Sequence, residues 1–167
     1  MKNGYQRWLG LGAAILLIAT GGACSGSDSS DWELPDPEAA TEWYGEDVDA
    51  RLDGNVLEIR GTMNPYHLAR GGRIWARGGP YFYLFNVHVQ QLLEDYPDLA
   101  AVRAVTVDSR GSEVARATLV RSQLSEVRWN QALARASLAQ REGSERPRLI
   151  EELIAFGEDH TEYSYQQ

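Results

Sequence analysis

The sequence predicts an α+β fold, a small single domain with a mainly antiparallel sheet made from two hairpins and with helices packed on one face. Two segments in which apolar and polar residues alternate around a glycine-containing turn indicate the hairpins. Apolar residues at helical spacing follow each hairpin. The predicted element order is therefore ββαββαα.

The first hairpin is the strongest local signal. Strands are predicted at about 48–52 and 56–63, on either side of Asp53-Gly54, a pair that supplies positive φ in a tight turn. A long glycine-rich loop is expected over 64–79. The next apolar spacing predicts a helix over 86–96.

Two features between the loop and this helix are less defined. Pro80 is expected in the first turn of a helix, where its missing N–H costs nothing. Residues 81–85 fit either a helix or a strand, because their aromatic residues also alternate. We interpret this aromatic run as core, although its first rings could form one wall of a groove.

The second half of the chain is predicted to hold a hairpin, a long helix, a short helix and a last edge strand. The predicted ranges are 102–108 and 114–121 for the hairpin, 124–141 and 147–157 for the helices, and 161–165 for the edge strand. Pro147 is expected to open the short helix and Gly157 to end it.

The N-terminus has the pattern of an export signal. Lys2 and Arg7 precede residues 8–23, which are sixteen residues without a charge, and Gly21-Gly22-Ala23 then leads into Cys24. This segment resembles the signal of bacterial lipoproteins, in which the cysteine receives a diacylglyceryl group. As a helix, the apolar stretch would span about 24 Å at ~1.5 Å per residue. That is shorter than the roughly 30 Å hydrocarbon core, so a cleaved signal is expected.

The resemblance also implies a location. Ser25 follows the cysteine where an aspartate would retain a lipoprotein at the inner membrane, so the protein is expected on the outer membrane facing the periplasm. In a host with one membrane it would lie on the outer face of the plasma membrane. Ordinary secretion and an uncleaved anchor remain as alternative interpretations.

Composition and charge divide the chain into three parts. The predicted parts are a signal peptide (1–23), an acidic flexible tether (24–47) and a globular domain (48–167). Residues 28–50 carry nine acids and no base, which favours a self-repelling tether. Because Cys24 is the only cysteine, the domain must fold without disulfides.

One stretch of the domain is cationic. Residues 59–93 contain no acid, and within them Ala-Arg-Gly-Gly occurs twice. We predict a binding surface for an anion or a partner at Arg70, Arg73, Arg77 and Trp75, because guanidinium groups pair with phosphate or carboxylate. The competing interpretation is an exposed loop whose arginines pair with the chain's own acids.

The leading functional hypothesis is a non-enzymatic envelope lipoprotein. It would be held at the membrane by its lipid and would bind an envelope protein, an anionic glycan or a lipid headgroup through the Arg/Gly-rich loop. Arg-Gly-Gly repeats resemble those of RNA-binding tails, but an exported protein meets little RNA, so no nucleic-acid partner is predicted. The oligomeric state is left open.

A second hypothesis is a hydrolase-type enzyme that uses His67 or His88. Each histidine lacks a catalytic motif around it, so a hydrogen-bonded or half-buried structural histidine is the competing interpretation. Residues 158–162 group carboxylates, a hydroxyl and an imidazole that could hold a divalent cation. A solvated acidic tail explains them equally well, and neither a metal nor a cofactor is predicted.

A third hypothesis rests on a second resemblance. Asp108 stands before Gly111-Ser112, and Arg128 follows Leu124-Ser125. These residues are similar to the peptidoglycan-binding domain of outer-membrane protein A and its lipoprotein relatives. The resemblance implies that Asp108 and Arg128 grip the diaminopimelate of the cell wall. An Asp-x-x-Gly turn inside a hairpin explains the aspartate without this function.

Overall fold

In the computed structural model, segments of alternating apolar and charged residues form a five-stranded sheet. The structure describes residues 33–44 and 48–166, without the side chains of residues 67–71. The described elements, in chain order, are α1 (Pro37–Glu42), β1 (Val48–Asp53), β2 (Val56–Thr62), α2 (Pro65–Leu84), α3 (Val87–Asp95), β3 (Ala101–Val107), β4 (Glu113–Val120), α4 (Glu126–Glu142), α5 (Pro147–His160) and β5 (Glu162–Tyr165). The predicted α+β class is confirmed.

The sheet has the strand order β1-β2-β3-β4-β5. Both predicted hairpins are present, as β1–β2 and β3–β4, and β5 adds the predicted edge strand beside β4. Gly54 and Gly111 supply positive φ in the two hairpin turns, at 62° and 80°. The central pair β2–β3 is parallel, because α2 and α3 form a crossover that returns the chain to the end of the sheet at which β2 begins.

The two faces of the sheet differ in composition. The helical face carries the apolar side chains of the core, namely Leu57, Ile59, Val102, Ala104, Ala117 and Leu119. The opposite face, here called the outer face, carries the charged side chains that alternate with them, among them Arg51, Glu58, Arg60, Arg103, Arg116 and Glu162. This period of two assigns one face to the core and leaves the other polar.

The prediction of a loop over 64–79 is wrong, because these residues form most of α2. Asn64 caps the helix by accepting a hydrogen bond from the backbone N–H of Tyr66 at 2.9 Å, and Pro65 occupies the first turn. Pro80 lies inside the helix and not in its first turn. The ambiguous segment 81–85 ends the same helix, with Phe85 as the C-cap.

The glycines of α2 have a packing role that explains why the helix forms. A Cβ at Gly78 would lie 3.0 Å from Ile150, and one at Gly79 would lie 2.9 Å from Thr106. Each glycine costs a helix about 1 kcal/mol relative to alanine. Tertiary packing offsets this cost, since the two glycines let α2 approach α5 and the sheet closely.

The remaining helices agree with the prediction except at one end. Helix α3 matches the predicted range 86–96 within a residue, and α4 and α5 begin close to their predicted starts. The prediction that Gly157 ends α5 is wrong, because the helix continues to His160. A Cβ at Gly157 would overlap the buried ring of Tyr81, so close packing and not helix termination explains this glycine.

Part of the segment predicted as a tether is packed against the domain. Helix α1 buries Ala40 completely, and Leu34 packs against the same core. The Tyr44 hydroxyl donates to the carbonyl of Tyr83 at 3.0 Å. Residues 33–44 are therefore a structured part of the domain, whereas the signal peptide and Cys24 lie outside the described residues.

Candidate functional site

Helix α2 carries the residues predicted to bind an anion or a partner, and it divides them between two sides. Positions 70, 73 and 77 fall on one side at the spacing of a helix. Trp75 packs on another side, where its ring stacks on Phe82 with 5.8 Å between centroids. Trp75 therefore lines a different pocket from Arg73 and Arg77. The side chain of Arg70 lies outside the described residues.

The arginine side of α2 faces a groove against α5. The groove has a volume of about 260 Å³ and is lined by Arg73, Ile74, Arg77, Glu151, Ile154, Ala155 and Glu158. Its floor is apolar and its rim carries both signs of charge. This composition suits an amphipathic or anionic group better than a purely apolar one.

The two described arginines of the groove are in different states. Arg77 donates to Glu158 at 2.6 Å, and this hydrogen bond raises the pKa of Arg77, so its guanidinium stays charged and is paired with an acid of the same chain. Arg73 is exposed and makes no ion pair or hydrogen bond with any residue whose side chain the structure describes. Arg77 is therefore paired with an acid of its own chain, whereas Arg73, one turn away, has no such partner among the described side chains.

Trp75 belongs to an aromatic cavity on the other side of α2. The cavity measures about 220 Å³ and is lined by Thr62, Met63, Asn64, Trp75, Gly79, Phe82, Tyr83, Thr106 and Gln140. Tyr81 and Phe85 are buried in the core, as predicted for the aromatic run, whereas Phe82 and Tyr83 are half-buried. Phe82 and Tyr83 therefore line this cavity, whereas Tyr81, the first ring of the run, does not.

Two buried or half-buried tyrosines of the domain are held in the neutral form. Burial raises the pKa of Tyr44 to about 12, despite the opposing hydrogen bond from Asn86. Burial likewise raises the pKa of Tyr81, and the hydrogen bond with Thr161 opposes this shift. Neither hydroxyl is therefore suited to act as a base near neutral pH.

The histidines are placed as packing residues where the structure describes them. His88 is half-buried and stacks on Trp43 with 5.1 Å between ring centroids. His160 approaches the carbonyl oxygen of Phe156 with Nδ1 at 2.7 Å and stacks on the same phenyl ring. The side chain of His67 lies outside the described residues. Among described residues, no group of three His, Cys, Asp or Glu side chains could hold a metal ion.

Asp108 and Arg128 do not meet. The Asp108 carboxylate accepts backbone hydrogen bonds from Ser112 and Arg110 in the β3–β4 turn, and these lower its pKa. Arg128 lies in α4, which follows the far end of β4. Since Ala101 pairs with Val120, about six residues of strand separate Asp108 from the end of β4 that leads to α4, roughly 20 Å at ~3.3 Å per residue. The geometry gives no support to a shared diaminopimelate pocket.

The outer face contains a charge network that sequence reasoning missed. Glu58 is buried and accepts hydrogen bonds from Arg51 at 2.7 Å and from Arg103 at 3.3 Å. Burial alone would raise the pKa of Glu58, but the two arginines outweigh it and lower the pKa. The available signal was the charge at alternate strand positions, which the prediction used only to locate the strands of the hairpins.

Known proteins provide no further guidance on the site. Comparisons with family models, with curated proteins and with solved structures give no significant match to this chain. The described helices include none that is both long enough and apolar enough to cross a membrane. The functional conclusion must therefore come from the residues themselves.

Proposed function

We propose that this protein is a lipid-anchored protein of the cell envelope whose folded domain binds an anionic envelope component without catalysing a reaction. The anchor is Cys24, which follows the short uncharged segment and the small residues typical of a lipoprotein signal. Each buried acyl CH₂ contributes about 0.8 kcal/mol, so two or more chains hold the protein at the membrane permanently.

The observation that carries the binding proposal is the position of Arg73. It lies at the rim of the groove between α2 and α5, exposed and without an internal partner among the described side chains. Arg77 is one turn away, and its guanidinium is already paired with Glu158. Arg73 is thus the described α2 cation that can pair with an external phosphate or carboxylate at no cost to the fold.

The anionic component we favour is a phosphate-bearing lipid headgroup, because a lipid-anchored domain stays within reach of the membrane surface. A basic residue near an anionic bilayer contributes about 1 kcal/mol to binding. The acidic region 28–50 opposes that attraction, so a single arginine is expected to give weak and salt-sensitive contact. A protein partner is the alternative occupant of the same groove.

Vesicle co-sedimentation tests the proposal. The chain from residue 25 onward would be mixed with phosphatidylglycerol vesicles, phosphatidylcholine vesicles and purified sacculi at low and high salt. We expect binding to the anionic vesicles at low salt, and Arg73→Ala should lower the partition coefficient about fivefold, as expected for the loss of ~1 kcal/mol. Arg128→Ala is the matched control, since it removes the same charge from exposed α4.

Three outcomes would contradict this function. Equal binding by the Arg73→Ala and Arg128→Ala variants would show that net charge, and not the groove, drives attachment. Binding to sacculi alone would assign the domain to the cell wall. Absence of binding to all three materials would exclude both the membrane and the cell wall as the bound surface and would leave a protein partner.

A further inference from the structure

We propose that the outer face of the sheet contains a second site, which binds a small oxyanion, a carboxylate or a phosphate, between Arg103 and Arg116. The pocket has a volume of about 220 Å³ and is lined by Arg103, Arg116, Thr118, Glu162, Tyr163 and Ser164. It lies on the side of the sheet opposite to α2. It is therefore independent of the membrane contact proposed above, and either site can exist without the other.

Strand register brings the cationic and hydroxyl groups of this pocket together. Arg103 of β3 pairs with Thr118 of β4, and Arg116 of β4 pairs with Ser164 of β5. The two arginines are thus diagonal neighbours on adjacent strands, about 7 Å apart at the backbone. This separation lets two long side chains converge on one bound anion.

Internal ion pairs hold both guanidinium groups in place. Arg103 donates through Nη1 to Asp53 at 3.2 Å and to Glu58 at 3.3 Å. Arg116 donates through Nη2 to Glu113 at 2.6 Å. A ligand would therefore meet arginines whose conformation is already fixed, which lowers the entropic cost of binding.

The same bonds leave donors for a ligand. Within the described part of the chain, each of these arginines uses one terminal nitrogen, so Nε and the second terminal nitrogen keep their N–H groups. The Nε of Arg116 is buried and has no hydrogen-bond partner among the described residues. Buried donors without a partner are rare in folded proteins, and a small shift of the Arg116 guanidinium towards the pocket would let a bound oxyanion satisfy this one.

The hydroxyl groups and the acid of the pocket define the ligand further. Thr118 and Ser164 can each donate one additional hydrogen bond to an oxyanion. Glu162 pairs with Thr118 across β4–β5 and places a negative charge at the edge of the pocket. Glu162 should therefore weaken the binding of a simple anion, and it should do so more for phosphate than for a singly charged carboxylate.

An NMR titration of the full-length chain tests this site directly. The Nε–H resonances of Arg103 and Arg116 would be followed during addition of sodium phosphate and, separately, sodium acetate at constant ionic strength. We expect saturable shifts with at least one of the two anions. Tighter binding of acetate would identify a carboxylate ligand, and tighter binding of phosphate would identify a phosphate ligand.

Four variants separate a site from general charge effects. Arg116→Gln should weaken binding about tenfold, since a charge-assisted hydrogen bond is lost, and Glu162→Gln should strengthen it. Arg110→Gln removes the same charge from an exposed turn residue and should bind like the parent chain. Thr118→Val keeps both arginines and should also weaken binding, because it removes one hydroxyl donor. It is the variant to use if Arg116→Gln fails to fold.

The proposal is overturned if the shifts stay linear with anion concentration, or if Arg110→Gln and Arg116→Gln weaken them equally. If Arg116→Gln does not fold, Thr118→Val takes its place, and the proposal is overturned if folded Thr118→Val binds the anion like the parent chain. Failure here leaves the vesicle experiment untouched, because that experiment depends on Arg73 on the opposite side of the sheet.

Discussion

The two faces of one sheet are stabilised by different physical means. On the helical face, glycines remove side chains so that α2 and α5 can pack tightly, and Tyr81 fills the space above Gly157. On the outer face, charged residues from separate strands pair across the sheet, as Arg51 and Arg103 do with Glu58. The helical face therefore tolerates little added volume, whereas the outer face is sensitive to lost charge and to pH.

The largest expected effect tests the packing of the helical face. Gly157→Ala should destabilise the fold by about 3 kcal/mol, because the new Cβ would overlap the Tyr81 ring, which is fully buried and cannot move aside. Gly72→Ala is the matched control, since nothing lies within 4 Å of its Cβ position in α2. That change should stabilise the helix by about 0.5–1 kcal/mol.

Urea unfolding of both glycine variants measures the difference. A loss of stability in Gly72→Ala similar to that in Gly157→Ala would mean that glycine acts through the backbone in both helices. A loss in Gly157→Ala smaller than about 0.5 kcal/mol, the ordinary range for surface changes, would show that the Tyr81 site is loosely packed.

These glycines also show how far the sequence predicts the fold. The hairpins, α3, α4 and the edge strand follow from local periodicity, which short-range turns and side-chain alternation determine. Helix α2 does not, because its glycines and Pro80 argue for a loop when the surrounding structure is unknown. The cap at Asn64-Pro65 and the spacing of Arg70, Arg73 and Arg77 were the local signs of a helix.

The candidate sites likewise contain a part that the local sequence predicts and a part that only the fold brings together. Arg73 and Arg77 are close in sequence, so their common groove could be anticipated as a cationic surface. The pairing of Arg77 with Glu158 could not, because 81 residues separate the two. The outer-face pocket combines three strands, and only strand register places Arg103, Arg116 and Ser164 side by side.

A smaller effect is expected for the charge network of the outer face. Glu58→Gln should destabilise the fold by about 2 kcal/mol at pH 7, since hydrogen bonds from two arginines to a buried carboxylate are weakened. Glu152→Gln is the control, because its pair with Arg148 is exposed and should contribute less than about 0.5 kcal/mol.

The contribution of Glu58 should also depend on pH. Because folding lowers the pKa of Glu58 below its ordinary value of 4.5, the carboxylate stabilises the folded state fully above that value. The contribution is lost as the pH falls from about 4.5 through the lower pKa of the folded state. The stability difference between the parent chain and Glu58→Gln should therefore shrink on acidification, and a difference that is constant from pH 7 to pH 3 would contradict the network.

The smallest effect on stability is expected at Glu158, where the consequence for binding is the sharper result. Glu158→Gln breaks the pair with Arg77, whose two side chains are 41% and 35% exposed, so unfolding should change by no more than about 1 kcal/mol. The released Arg77 would then stand beside Arg73 as a second cation at the groove. Binding to phosphatidylglycerol vesicles should rise by about fivefold at low salt, as one additional basic residue near the surface would give.

Glu152→Gln changes the net charge equally but frees only Arg148, which does not line the groove. Equal gains in the two variants would attribute the increase to net charge, and a gain confined to Glu158→Gln would attribute it to the arginines of α2.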